Sequence, residues 1–334
     1  MRFPAFRLVR ADAKLAPGEY TTDLPWRPTP FTGAADVGRV AAEFAGGATI
    51  VLQALHLNHL PLAIFCRELE ARLGQPVQAN AYYTPRAAQG LPVHHDTHDV
   101  FVLQVAGEKR WLVYEPVLEL PLKDQRYSSE LGEPGEPVLD LTLRPGSTLY
   151  LPRGWLHEAV TSQSDSLHLT IGLNTYTTRD ALAAALAAAE GDVELRRAVP
   201  DDGELDADRL EAVRERLDAR TVATRKRERF VRTRRPVLDG QLEQLRRLDT
   251  LSADTQLERR PTVIADLLVE DGNGVLAFEG KRISFPDHVL DEIGYLVETT
   301  STFRARDLPG SLDEASRLVL VRRLIREGFL RAVY

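Results

Sequence analysis

A single cysteine, Cys66, in a chain of 334 residues leaves no internal disulfide framework and no thiolate-rich zinc or iron–sulfur site. Any bound metal must therefore be held by histidine and carboxylate. Cys66 falls on an apolar stripe with no reactive partner near it in sequence, and it reads as a small buried hydrophobe. Lysine is scarce too, occurring only at positions 14, 109, 123, 226 and 281, so a lysine within a structured segment is poor surface filler. No apolar stretch approaches the roughly 18 residues needed to cross a bilayer, and Met1-Arg2-Phe3-Pro4 lacks the apolar core of a secretion signal. A cytoplasmic protein without membrane association is expected. The formal charge of −7 runs against the basic footprint of a general nucleic-acid binder, although a local basic surface is compatible with it.

What is present is core-forming: 43% of residues are hydrophobic and 27% charged, over a length that suits two or three domains. Residues 1 to about 47 read as irregular, punctuated by Pro25-Trp26-Arg27-Pro28-Thr29-Pro30 and Gly46-Gly47. Thr49 to Leu55 is a strand candidate, and Leu60 to Leu73 has helical apolar spacing that ends at Gly74. From Val77 to Asn174 the pattern changes to short strands: Gln78 to Tyr83, Val100 to Val105, Arg110 to Tyr114, Val138 to Leu143, Ser147 to Leu151, His157 to Thr161 and Leu167 to Asn174. Gly107-Glu108 and Pro145-Gly146 look like turns between them, so a sandwich or barrel is expected. In the last strand, alternation puts His168, Thr170 and Gly172 on one face, which would line a pocket.

After Thr178 the chain is rich in Ala, Leu, Arg and Glu to about Leu257. It reads as helical, including Leu210 to Leu217, with interruptions at Gly191 and Pro200. Arg225 to Arg235 holds seven basic residues, either a solvated helix face or a surface for an anionic partner such as ribosomal RNA. From about Pro261 a helical stretch is expected, then a β-hairpin over Gly274 to Phe285, then helices around His288 to Glu298 and Ser311 to Phe329. Small helices with a two-stranded wing describe a winged-helix-like module. With 9 Lys and Arg against 12 Asp and Glu it is poorly equipped for phosphate contacts, so DNA binding is disfavoured and protein interaction favoured.

The chemistry concentrates in His94-His95-Asp96 and in His157, which follows Tyr150-Leu151-Pro152-Arg153-Gly154-Trp155-Leu156. Two imidazoles and one carboxylate on one face of an octahedron leave positions open for a co-substrate and O2, the ligand set of non-heme Fe(II) oxygenases. On an extended segment His94 and Asp96 point the same way and His95 the other. Spacing alone leaves alternatives: His98 in place of His94 or His157, or His168 as the distal ligand. Lys109 sits in an apolar strand, where a buried ammonium needs an anion. That anion is either a dicarboxylic co-substrate or a neighbouring carboxylate such as Glu108 or Glu115.

Three stretches carry a direct resemblance: Asn80-Ala81-Tyr82-Tyr83-Thr84-Pro85 through Gln89-Gly90-Leu91-Pro92-Val93-His94-His95-Asp96; Asp99 to Trp111; and Tyr150 to Ala159 with Ser166-Leu167-His168-Leu169-Thr170. They resemble the Jumonji-C (JmjC) ribosomal oxygenases. The resemblance implies an α+β chain with a cupin-type double-stranded β-helix over residues 1–178, a helical dimerisation region over 179–258 and a winged-helix-like domain over 259–334. It implies Fe(II), 2-oxoglutarate as co-substrate and O2, and hydroxylation of a histidine or arginine of a ribosomal protein by a homodimer, with succinate and CO2 released. The family's metal ligands map onto His94, Asp96 and His157. Its 2-oxoglutarate lysine maps onto Lys109 and a supporting tyrosine onto Tyr82, while strand geometry adds Thr170. Arg153 and Asn174 are candidate contacts for the peptide. The run His95-Asp96-Thr97-His98-Asp99 is richer in histidine and acid than in eukaryotic members. Two other readings stand beside this one: a cupin enzyme using the triad without 2-oxoglutarate, and a cupin sensor whose terminal module binds DNA.

Overall fold

The computed structural model describes residues 2–25, 28–188, 190–191, 193, 196–199, 207, 210–211, 214 and 219–334. The chain divides into two compact units, one of residues 1–70 and 75–175 and the other of residues 71–74 and 176–334.

In the first unit the strands are β1 (Phe6–Val9), β2 (Thr21–Leu24), β3 (Phe31–Ala35), β4 (Thr49–Leu52), β5 (Val77–Thr84), β6 (Asp99–Gly107), β7 (Lys109–Tyr114), β8 (Leu139–Leu143), β9 (Thr148–Leu151), β10 (Leu156–Val160) and β11 (Ser166–Leu173). Strands β5 to β11 are the short strands expected between Val77 and Asn174. They pair antiparallel in two sheets, β1-β4-β5-β11-β6-β9 and β10-β7-β8, with β2 and β3 forming a separate ribbon. Val100, Val102 and Leu151 of the first sheet meet Trp111, Val113 and Leu143 of the second in one buried cluster, so the two sheets close over a shared core.

The turns explain part of this closure. Between β8 and β9, Pro145 and Gly146 (φ 89°) bring the Ser147 amide to the Arg144 carbonyl at 2.8 Å, a type II turn in which glycine takes the left-handed position. Gly107 ends β6 with φ 61°, and any Cβ there would collide with the Asp165 carbonyl of the chain entering β11. On β5, alternation sends Gln78, Asn80, Tyr82 and Thr84 to the inside. Val77 and Ala79 face out and pack with Ile171 and with Cys66, which lies on the helix Leu60–Leu73. Cys66 is 2% exposed, and its burial pushes the thiol pKa up to about 12, so it is an inert core residue.

Where residues 1 to 47 read as irregular in sequence, the described ones include three strands and a helix. β1 pairs with β4, extending the larger sheet, and buries Phe6 and Leu8. Helix α1 (Val37–Ala45) starts at Asp36, whose carboxylate accepts from the Arg39 amide at 3.1 Å. Four-residue strands and an Ala- and Gly-containing helix are too short for a period to stand out in sequence. The helix Leu60–Leu73, here α2, has the expected bounds.

In the second unit, α3 (Thr178–Ala188) and α4 (Ala219–Thr233) occupy the segment read as helical. The expectations at Pro200 and over most of Leu210 to Leu217 lie outside the described residues. Within the basic run, Arg227 is engaged by Asp266 at 2.7 Å. Beyond α5 (Gln241–Arg246) and β12 (Gln256–Arg259), the helical stretch expected after Pro261 is instead β13 (Ala265–Glu270). Asp271 (φ 49°) and Gly272 (φ 80°) form a tight hairpin turn that lays β13 against β14 (Asn273–Phe278), and β15 (Lys281–Phe285) completes the sheet. Helices α6 (Leu290–Glu298) and α7 (Glu314–Glu327) stand where expected, with Leu276, Ile293, Leu296, Leu324 and Ile325 in one core.

Candidate metal centre

His94 and His157 are joined by a two-way backbone bridge, the His94 amide donating to the His157 carbonyl at 3.1 Å and the His157 amide to the His94 carbonyl at 2.8 Å. The bridge clips the extended segment before β6 onto β10. The Asp96 carbonyl accepts from the Gly154 amide at 3.0 Å, fixing the next turn of the same segment. As a result the ligand atoms of His94, Asp96 and His157 lie within 4.8 Å of one another. The imidazole centroids are 4.4 Å apart, and Asp96 Oδ2 is 3.9 Å from His157 Nε2.

Outer partners set the chemistry of the two rings. His94 Nδ1 faces the Pro92 carbonyl at 2.8 Å and His157 Nδ1 faces the Trp155 carbonyl at 3.0 Å. A carbonyl only accepts, so both Nδ1 atoms carry the proton and both Nε2 atoms keep a lone pair. Burial, reinforced by His94, lowers the His157 pKa to about 4, so the ring is neutral and ready to ligate at physiological pH. Two oriented imidazoles and one carboxylate, with no thiolate, suit a divalent first-row ion such as Fe(II).

The alternative histidines stand elsewhere. His95 donates through Nε2 to the Gln125 carbonyl at 2.9 Å and meets the Tyr127 ring edge-on. His98 pairs with Gln78 at 3.0 Å. His168 is stacked on Tyr82 with centroids 5.0 Å apart, and burial, with Lys109 adding to it, keeps it neutral. Among the described residues, the converging group of metal-type ligands is His94, Asp96 and His157.

The triad opens into a cavity of about 540 Å³ also lined by Lys109, Tyr82 and Thr170. Lys109 is 4% exposed, and its ammonium donates to Thr84 Oγ1 at 2.9 Å. No carboxylate among the described residues pairs with it: of the two acidic neighbours in sequence, Glu108 is bridged to Arg144 at 3.5 Å and Glu115 is exposed. Burial alone lowers the Lys109 pKa to about 7. Burial, with the Asp96 charge adding to it, raises the Tyr82 phenol pKa, while the Arg7 charge works against the shift. Arg153 and Asn174 do not line the cavity; their amides donate to Asp99 Oδ1 at 3.1 Å and to the Pro76 carbonyl at 2.8 Å.

Sequence reasoning missed Gln78, Asn80 and Thr84, which the alternation Gln-x-Asn-x-Tyr-x-Thr along β5 could have disclosed. It also missed Trp111, on the same face of β7 as Lys109. Arg7 gave no signal, because it enters the cavity from a strand in the segment read as irregular.

A cupin-type barrel with a His-x-Asp and distal-His triad at its mouth defines a class of mononuclear metal proteins. Comparison with known proteins narrows the class. The sequence model of the JmjC domain matches residues 56–181, a span that holds all three triad residues, and the chain carries a JmjC domain. It is 33% identical over 250 residues to ribosomal oxygenase 2 of Rattus norvegicus, covering 68% of this chain and 48% of that one. It is 41% identical over 150 residues to ribosomal oxygenase 1 of Homo sapiens, covering 41% and 23% of the two chains. The chain thus spans less than half the length of these curated relatives. Among solved structures, Escherichia coli ribosomal oxygenase YcfD aligns over 86% of this chain and 78% of its own, with TM-score 0.54 and 18% identity, a likeness of fold. A further structure of that protein is described as a complex with cobalt and 2-oxoglutarate, with TM-score 0.52, 18% identity and coverage of 86% and 79%. The resemblance to the JmjC ribosomal oxygenases drawn from the sequence is borne out.

Proposed function

We propose that this chain is an Fe(II)- and 2-oxoglutarate-dependent oxygenase that hydroxylates a side chain of a ribosomal protein. One observation carries the reading: a buried ammonium without a carboxylate partner, Lys109, lines the same cavity as a preorganised His/Asp/His triad. His94, Asp96 and His157 would hold Fe(II). When bound, the ion supplies the redox chemistry by which O2 and 2-oxoglutarate turn a C–H bond into C–OH, with succinate and CO2 as the other products.

The chain's own residues orient and enclose. Lys109 meets the far carboxylate of 2-oxoglutarate by a charge-assisted hydrogen bond, with Thr84 fixing the ammonium. Tyr82, stacked on His168, supports the same co-substrate. The Pro92 and Trp155 carbonyls keep both ligand imidazoles in the Nε2-binding tautomer.

We read residues 1–178 as the oxygenase domain, 179–258 as a helical dimerisation region and 259–334 as a winged-helix-like module for protein contacts, in a cytoplasmic homodimer. The β13-β14-β15 sheet with α6 and α7 on a common core supports the last of these.

The test couples two measurements. Purified protein with Fe(II) should convert 2-oxoglutarate to succinate, and Asp96→Ala should not. Ribosomal proteins from cells with the gene should include one heavier by a single oxygen atom than its counterpart from cells without it. Turnover by the Asp96→Ala chain would sink the ligand assignment. Unchanged 2-oxoglutarate binding by Lys109→Ala would favour a cupin enzyme of another kind.

A further inference from the structure

The basic run Arg225 to Arg235 plays no part in the oxygenase chemistry, and its arginines differ in what they touch. Arg227 is engaged by Asp266. Arg234 lies over the Phe230 ring and donates to the Phe230 carbonyl at 3.0 Å. Arg225, Arg229 and Arg232 are different: at i, i+4 and i+7 they share one face of α4. All three line a cavity of about 660 Å³ within the second unit, whose other walls come from α3, β13, β14 and the start of β15.

The charges around this cavity do not cancel. Of the carboxylates on its lining, Asp266 is taken by Arg227 and Glu270 by Arg282, while Lys281 is held by Glu327. Glu228 is left to face three arginines, none of which forms an ion pair with a described residue. Like charges one turn apart on a helix repel. An anion in the cavity removes that cost, and the guanidinium fork suits oxyanions because it can bind two oxygens at once.

Geometry selects the kind of anion. Seven residues of helix rise about 10 Å, so the three forks form a row. A single phosphate would answer one of them and leave the others. In a stacked nucleic-acid strand the phosphates follow one another about 3.4 Å along the axis, and farther apart when the strand is extended, so a few consecutive nucleotides match the row. Arg229, over the Tyr176 ring at 5.1 Å, adds a planar cation on which a base can stack, a contact that a chain of carboxylates cannot use. A cavity of this size admits a single strand and not a duplex.

We propose that Arg225, Arg229 and Arg232, facing the β13-β14-β15 sheet, form a groove for the phosphate backbone of a single-stranded RNA segment. The groove is independent of the oxygenase reading.

The test uses the 334-residue chain and a short labelled single-stranded RNA of mixed sequence, with binding followed by fluorescence anisotropy across a range of salt concentrations. The wild type should bind, with log K falling against log salt. Each phosphate contact on a single strand contributes about 0.7 to that slope, so Arg225→Gln/Arg229→Gln/Arg232→Gln should lower it by about 2 and weaken binding at least about tenfold. Lysine at the same three positions should keep the slope. A charge-matched variant with Lys14→Gln, Arg86→Gln and Lys123→Gln, all exposed in the first unit, should bind as the wild type does. Arg229→Gln and Arg232→Gln taken singly, each exposed, should each lower the slope by about 0.7 and decide the matter if the triple variant melts early. No RNA binding by the wild type, an equal loss in the charge-matched variant, or an unchanged slope in the single variants overturns the groove. Displacement of the RNA by polyglutamate at equal charge also overturns it and makes the cavity a site for an acidic protein segment. Equal displacement by duplex DNA overturns it in favour of an unselective basic surface.

Discussion

At the scale of single residues the site is a set of tautomers and one unpaired charge. Removing the carboxylate with Asp96→Ala should weaken Mn(II) binding by more than about 100-fold in calorimetry, because even the outer partners of metal ligands are worth 10- to 100-fold. Lys109→Met separates binding from stability. It should weaken 2-oxoglutarate binding by about 10- to 100-fold, the worth of a charge-assisted hydrogen bond, while thermal unfolding at neutral pH moves up or stays unchanged. The pH dependence has a definite sign. The Lys109 pKa falls from 10.5 to about 7 on folding, so between those values the unfolded chain holds the proton and the folded chain does not. Stability from this group therefore grows as pH rises through that window. Affinity for 2-oxoglutarate runs the other way. It needs the ammonium, so it is full below about pH 7 and declines above it, which a titration of Kd against pH would show. His94, Asp96, His157 and Lys109 were legible because scarce, chemically distinct residues stand out in sequence. Arg7 was not, because nothing local in Phe6-Arg7-Leu8-Val9 says which sheet edge the strand will join.

At the scale of elements the tight turns hold the ligand-bearing strands in register. Gly107→Ala puts a methyl group into the Asp165 carbonyl at a positive φ, two residues before Lys109. It should cost more than about 1 kcal/mol in urea unfolding and weaken 2-oxoglutarate binding. Gly146→Ala, with φ 89° but nothing within 4 Å, should cost less and leave that binding intact. Strands β5 to β11 were legible because each carries a period of two bounded by turn residues. The β13 strand was misread as helix because Ala265-Asp266-Leu267-Leu268 fits either period, and it was decided by the Asp271-Gly272 turn behind it. Length explains the missed β1 and α1, whose four and nine residues carry too little pattern to call attention to themselves.

At the scale of the whole molecule the proposed dimer is the open quantity. Light scattering at micromolar concentration should return twice the 37.3 kDa chain mass, and a monomeric mass would refute the dimerisation role given to residues 179–258. The charge balance of residues 261–334, 9 Lys and Arg against 12 Asp and Glu, makes a second expectation: no salt-dependent shift with duplex DNA at physiological ionic strength.

Trp111 lies between the two halves of the chemistry, its ring 6.0 Å from that of His157 and 5.4 Å from that of His168. It is 4% exposed and is one of three tryptophans in the chain. The barrel thus has a built-in optical reporter: an indole in van der Waals reach of a ligand imidazole should dim when a paramagnetic ion docks. Metal loading can then be followed by emission from the unlabelled chain, and Trp111→Phe should weaken that signal, leaving the share of Trp155, whose carbonyl holds His157.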